Sequence, residues 1–238
     1  MEKEKITARQ RITGVFLGVT LALLMLVLSA TATITSGDFW LRQNEKNNHT
    51  ETLKLASNDD YNHLYHHYIG LLEGKINPEK SETVTVIEGE GTLEKDILTF
   101  SERAQLNKAS AIIKIETVLS CILVALAFVV MILTVKKEKR KAFLGIGFYL
   151  IVSTIVFALI INVLVKIVPS PWGFNLVFDF EKGSTSEILI GERFMNDFAS
   201  GFVRFYDFTM LAPVFAGYIL TKLSKSNNKD ENEDYLYQ

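Results

Sequence analysis

Four histidines, His49, His63, His66 and His67, are the side chains of this chain whose ordinary titration falls near neutrality. His63 and His67 stand at i and i+4 in a segment of helical pattern, and His66 adjoins them. Imidazoles on one helix face can take and return protons, which is the work of a general acid and base. A solvated helix face is the ordinary alternative. No carboxylate has metal-ligand spacing to them, and the single cysteine, Cys121, excludes a thiolate cluster and an intrachain disulfide. No metal or cofactor is expected. The chain also lacks a glycine-rich phosphate loop and a serine nucleophile elbow.

Aromatic spacing gives a second set of candidates. Tyr61, Tyr65 and Tyr68 are placed at i, i+4 and i+7, so they share a helix face. Phe194, Phe198, Phe202 and Phe205 form another stripe, and Trp172 and Phe174 precede it. An aromatic belt at the lipid headgroups and an aromatic-walled pocket both fit this density. Lys114, Glu116 and Lys166 lie at the ends of apolar runs. Such residues are candidates for function, or lysines that snorkel to the interface.

Four apolar stretches must position these groups: Thr13–Thr35, Ala111–Val135, Ala142–Val168 and Asp207–Leu223. The first three approach or exceed the ~20 residues that carry a helix across a hydrocarbon core. Backbone in lipid must satisfy its own hydrogen bonds, so the runs are expected as helices. The fold class is an α-helical membrane protein with four transmembrane helices and a small mixed α/β extracellular cap. Ser29-Ala30-Thr31-Ala32 has a cleavable look, but the run before it is longer than a signal core of ~7–15 residues. An uncleaved anchor is expected.

Basic residues orient the chain. Lys3, Lys5, Arg9 and Arg11 lie in the N-terminal segment 1–12. Lys136, Lys137, Lys139, Arg140 and Lys141 fill the turn 136–141, and Lys222, Lys225 and Lys229 flank the tail 224–238. Positive flanks stay inside, so both termini are expected in the cytoplasm of a bacterial cell and both larger loops outside. The net charge of -2 argues against a nucleic-acid partner.

The first cap loop, 36–110, contains a helix start at Ser57-Asn58-Asp59-Asp60 and a helix from Tyr61 to Leu72. Gly74 and Pro78 end it. Thr83–Ile87 and Leu93–Phe100, separated by Glu88-Gly89-Glu90-Gly91, read as a hairpin. Phe100–Ser110 is expected to lead as a helix into the second span. The second cap loop, 169–206, opens with Pro169-Ser170-Pro171-Trp172. The tail has no apolar periodicity and is expected to be disordered.

This layout resembles a four-span membrane family of low-GC Gram-positive bacteria, the lipoprotein intramolecular transacylases. The resemblance spans nearly the whole chain by topology. Local similarity lies in Tyr61–Leu71, in Phe100-Ser101-Glu102-Arg103, and in Trp172-Gly173-Phe174 with Ser186–Met195. It implies an acyl transfer from the glyceryl group of a lipoprotein to the α-amine of its N-terminal cysteine. It implies substrate contacts at Tyr61, Tyr68, Arg103, Trp172, Phe174, Glu192 and Phe194. The family's two histidines fall on Asn107 and on or next to Asn162, and its nearby aspartate on Ser110. An amide exchanges no proton near pH 7, so catalysis there is replaced or absent. His63, His66 and His67 are the candidates for a relocated relay. The partner implied is a membrane lipid or lipidated protein. A non-catalytic relative binding such a partner, or an accessory subunit beside another membrane protein, is the alternative.

Overall fold

A computed structural model gives the fold and describes residues 6–167 and 180–234, without the side chains of 140, 192 and 225 onward. Trp172 and Phe174, with the opening of the second cap loop, lie outside the described residues. The protein is mostly helical, with one two-stranded sheet. In chain order the helices are α1 (Ala8–Ile34), α2 (Gly37–Asn47), α3 (His49–Thr52), α4 (Asn58–Leu72), α5 (Phe100–Glu138), α6 (Ala142–Ile167), α7 (Thr185–Leu189), α8 (Glu192–Thr209) and α9 (Leu211–Asp234). The strands are β1 (Thr83–Glu88) and β2 (Gly91–Asp96).

Three described helices, α1, α5 and α6, are long and apolar enough to cross a membrane. Large apolar side chains stand exposed along α5 and α6, among them Leu119, Ile122, Leu126, Leu159 and Ile160. Water would strip such a surface of stability, whereas lipid covers it at no cost.

The fourth apolar stretch is shaped differently from its sequence expectation. Asp207 to Thr209 finish α8, a turn falls at Met210, and α9 then begins at Leu211 and runs through Asp234. Pro213 explains the break. It has no N–H to offer the Thr209 carbonyl, yet it is tolerated in the first turn of a new helix. Helical hydrogen bonding bridges the turn, from Met210 N–H to the Tyr206 carbonyl at 2.9 Å and from Val214 N–H to the Met210 carbonyl at 3.4 Å. α9 carries on into the tail as far as Asp234.

The chain divides into two compact units. The first holds Met1–Ser29, Glu116–Leu164 and Arg204–Gln238. Glycines let its helices approach. A Cβ on Gly14 of α1 would lie 2.6 Å from the Ile146 carbonyl of α6, and one on Gly147 of α6 would lie 2.5 Å from the Gly217 carbonyl of α9. Without a hydrophobic force between helices in lipid, such close backbone packing supplies the association. Toward the N-terminus of α1, the Thr13 and Thr134 hydroxyls are 3.0 Å apart, and Glu138 accepts from Thr7 at 2.9 Å and Gln10 at 2.7 Å.

The second unit holds Ala30–Ile115 and Val165–Val203. Ser57 caps α4, its hydroxyl accepting from the Asp60 N–H at 3.2 Å. Gly74, at φ +63°, takes the left-handed conformation that closes the chain after α4. The strands pair antiparallel, Thr83 opposite Asp96 and Glu88 opposite Gly91, with Gly89 at φ +65° in the turn. β2 is shorter than the expected Leu93–Phe100. Thr99 leaves the strand to cap α5. Its hydroxyl accepts from the Glu102 N–H at 3.2 Å, and the Glu102 carboxylate accepts from the Thr99 N–H at 2.7 Å. The segment after α3 then borders β1, with Ala56 N–H on the Thr85 carbonyl at 2.8 Å and Ile87 N–H on the Lys54 carbonyl at 2.7 Å.

Candidate functional site

Tyr61, Tyr65, Tyr68, Phe194 and Phe198, singled out in the sequence, meet in the second unit as a solid core. Tyr61 and Tyr68 are fully buried, and Phe194 is nearly so. Their common neighbour is Trp40, also fully buried, with ring centroids 5.1 Å from Phe194 and 5.4 Å from Tyr68. Phe39 lies edge-on to Phe194 at 5.1 Å, and Phe198 stacks on Phe194 at 6.3 Å. Polar atoms of this core are used locally. The Tyr61 hydroxyl donates to the Trp40 carbonyl at 3.0 Å, and the Trp40 indole N–H donates to the Ile34 carbonyl at 2.7 Å. Close-packed rings hold a backbone in register and leave no room for a lipid chain between them. Phe39 and Trp40 escaped the sequence reading because they follow the first span directly and belong to no periodic stripe.

The histidines separate by environment. His63 and His66 are exposed on α4, the His66 ring 4.4 Å from that of Tyr65. His67 is buried, and its Nδ1 lies 3.6 Å from a Glu82 carboxylate oxygen. Its Nε2 is buried without a hydrogen-bond partner. Burial holds the His67 imidazole below its usual pKa, against the pull of Glu82. His49, absent from the candidate relay, is also buried and stacks nearly parallel on Tyr61. Desolvation lowers it from 6.5 to about 4.

That depression makes stability depend on pH. Above 6.5 both folded and unfolded states carry neutral His49, and its contribution is complete. As pH falls from 6.5 toward 4, only the unfolded state takes up the proton, so stability is lost. His67 adds a loss of the same sign. Thermal unfolding of the full chain in detergent is expected to weaken between pH 7 and 4.5. The His49→Phe variant keeps a ring on Tyr61 and should lose the larger part of that slope, a share bounded by roughly 3 kcal/mol. An unchanged slope in the variant would place the titration elsewhere.

Arg103 is enclosed by the fold. Its Nη1 donates to both Asp96 carboxylate oxygens, at 2.9 and 3.1 Å, and to the Leu98 carbonyl at 2.6 Å. Its Nε donates to the Pro78 carbonyl at 2.9 Å. Beside it, the buried Glu102 carboxylate accepts from the Ser186 N–H at 2.7 Å, tying α7 to the start of α5. The Tyr68 hydroxyl faces the Ser186 hydroxyl without a well-formed hydrogen bond, and burial raises its pKa well above 10.

Asn107 is exposed on α5 in the second unit. Ser110, one turn on, is buried with its hydroxyl unpartnered. Asn162 belongs to the first unit, where its amide donates to the Asp207 carboxylate at 2.8 Å and to the Ala158 carbonyl at 3.0 Å. Lys114, Glu116 and Lys166 are exposed, and the Glu192 side chain lies outside the described residues.

A cavity of about 550 Å³ opens in the second unit. Leu53, Lys54, Ile87, Lys95, Thr99 and Ile188 line it, with no histidine among its described residues. Ammonium, hydroxyl and carboxylate groups alternate with aliphatic ones there. Such a lining can hold a polar chain but offers no group that exchanges protons near neutrality. No group of residues suited to a metal ion occurs among the described residues.

No protein-family model matches the chain, and no curated protein does. Solved structures do. The fold is similar to that of the membrane-integral lipoprotein intramolecular transacylase Lit from Bacillus cereus in three crystal structures. A variant with a histidine replaced by arginine superposes with a TM-score of 0.60 at 15% identity, covering 92% of this chain and 94% of that one. A second structure gives 0.57 at 14% identity over 92% and 97%, and a histidine-to-alanine variant gives 0.53 at 14% over 94% and 96%. At this identity the likeness is one of fold.

Proposed function

We propose that this chain is a multi-pass membrane protein that binds the diacylglyceryl-modified N-terminus of a lipoprotein, without transferring an acyl chain through Asn107 and Asn162. The observation that carries the reading is the shared fold, which extends over more than nine-tenths of this chain and of a lipoprotein transacylase. A fold alone does not carry a reaction, so the chemistry must be argued from the site. Ester aminolysis needs the amine deprotonated and the leaving glyceryl oxygen protonated. Asn107 and Asn162 can do neither. In the proposed arrangement α9 completes a four-helix set, both larger loops lie outside, and the basic flanks hold both termini in the cytoplasm.

One observation favours a second reading, in which transfer survives by another route. His67 combines a carboxylate beside Nδ1 with a buried, unpartnered Nε2. An imidazole oriented from one nitrogen and free at the other is the form a proton relay takes, and Glu82 would have to close from 3.6 Å to hydrogen-bond distance to orient this one.

A single experiment tests orientation and binding together. Place a cysteine at exposed Ser81 or at Ser226, and treat intact cells with a membrane-impermeant photo-crosslinker. Ser81→Cys is expected to label and to trap mature lipoproteins, and Ser226→Cys to do neither. Labelling only at 226 would reverse the orientation. Labelling at 81 without trapped lipoprotein would sink the binding reading.

A further inference from the structure

The ion pairs between described residues lie in the second unit. The first unit carries Arg9, Arg11, Lys136, Lys137, Lys139 and Lys222 at the helix ends around the basic turn. Arg9 reaches Thr134 of α5 at 3.3 Å, and α9 borders the turn. Among the described residues no carboxylate pairs with any of these cations. Glu138, which adjoins them in sequence, accepts instead from Thr7 and Gln10, both uncharged. Positive charge is left over at this end of the unit.

Two of the cations are laid on tyrosine rings. The Arg11 guanidinium of α1 lies 5.8 Å from the ring centroid of Tyr149 on α6, and the Lys222 ammonium of α9 lies 5.4 Å from that of Tyr218. Each tyrosine touches an exposed phenylalanine. Phe148 stands edge-on to Tyr149 at 5.3 Å, and Phe215 stacks on Tyr218 at 6.4 Å. Tyr149 and Tyr218 closely follow Gly147 and Gly217, where α6 and α9 meet backbone to backbone, so the two rings lie at nearly one level. About 12 Å of helix separates Tyr149 from Lys141. That is the depth at which aromatic rings meet the lipid headgroups. Each stack is therefore a cation at headgroup level above a ring, with an exposed apolar ring beside it. The ring attracts the cation but accepts none of its N–H groups in the plane of a hydrogen bond. A phosphate diester does, and its acyl chains can lie along the phenylalanine.

We propose that the Arg11–Tyr149 and Lys222–Tyr218 stacks bind the phosphates of anionic phospholipids in the leaflet at the basic end. The uncompensated charge around them selects a headgroup of net negative charge over a zwitterionic one. The shared chemistry is a phosphate oxygen, which free phosphate also offers. The lipid is favoured because Phe148 and Phe215 give its chains a surface that free phosphate does not use. The Arg11 stack stands on α1 and α6, both long and apolar enough to cross a membrane. The Lys222 stack rests on the four-helix reading above, in which α9 joins them.

The test uses the full chain in dodecyl maltoside and counts retained lipid by native mass spectrometry. Wild type is expected to bind phosphatidylglycerol about tenfold more tightly than phosphatidylcholine of the same chains. Arg11→Gln and Lys222→Gln should each lose part of that preference, and the double variant nearly all of it. Lys136→Gln with Lys137→Gln removes the same charge without touching a ring and should keep most of it. Equal wild-type affinity for the two lipids would overturn the site. So would a loss in the Lys136 and Lys137 double variant as large as in the Arg11 and Lys222 one, because binding would then follow diffuse charge. Competition by inorganic phosphate at millimolar concentration would assign the stacks to a free anion. Should the Arg11 and Lys222 double variant fail to fold, the single variants and the wild-type preference decide. A loss confined to Arg11→Gln would remove α9 from the site and count against the four-helix reading. Lipoprotein capture is read separately by Ser81→Cys, so failure of the lipid site leaves that reading standing.

Discussion

Arg103→Met is expected to destabilise the protein by on the order of 3 kcal/mol, a fall in Tm of roughly 6–12 °C for a chain of this length. The Arg103 side chain is 8% exposed, and its guanidinium satisfies four acceptors in three segments: the end of β2, the Leu98 turn and the Pro78 turn. Methionine fills much of the volume but leaves the two carbonyls and the Asp96 carboxylate without their donor. Asp96 is 38% exposed, so water recovers part of its loss, which keeps the figure below that of a fully buried pair. Arg103→Lys should recover less than half, because one ammonium cannot reproduce the fork. Resemblance to the transacylases implies a substrate contact for this residue. The two roles part cleanly in a melting experiment in detergent. A strut costs stability with or without ligand. A binding residue would leave the Tm of the free protein untouched, and that result would return Arg103 to the substrate.

The sequence makes the helical parts of this fold legible because their signals are local. Ser57 with Asp60, and the glycines at 74 and 89, each sit where backbone geometry needs that residue. The apolar runs of α1, α5 and α6 are set by the solvent they face. What escaped the sequence was set by contacts between distant segments. Spacing alone leaves Tyr61, Tyr68 and Phe194 open between an interfacial belt and the wall of a pocket. Only the arrival of Phe39 and Trp40 turns them into core. His63 and His67 share a periodicity, yet Glu82, well downstream, sits beside His67 while His63 stays exposed. The Asn162–Asp207 pair joins two helices with no signal in either sequence.

Expression in a host whose lipoproteins are diacylated with a free amine is expected to leave that amine free. Mass spectrometry of the N-terminal peptides should show both acyl chains on the glyceryl group and none on nitrogen. The expectation follows from the chemistry of the two positions where the transacylase resemblance would place histidines. Removing one general acid or base lowers a rate by about 10²–10⁴, and here both are amides. Asn162 is further committed, both of its N–H groups being engaged with Ala158 and Asp207. Proximity in a confined site still helps aminolysis, but effective concentration cannot act on an ammonium that keeps its proton. If N-acylated peptides do accumulate, His67→Ala is the deciding variant. Loss of the product by about two orders of magnitude, with His63→Ala and His66→Ala unaffected, would assign the relay to His67 and Glu82. Product that survives replacement of all three histidines would refute both readings of the chemistry. It would direct the search to other ionisable groups, Lys166, Glu116 and Glu192 first.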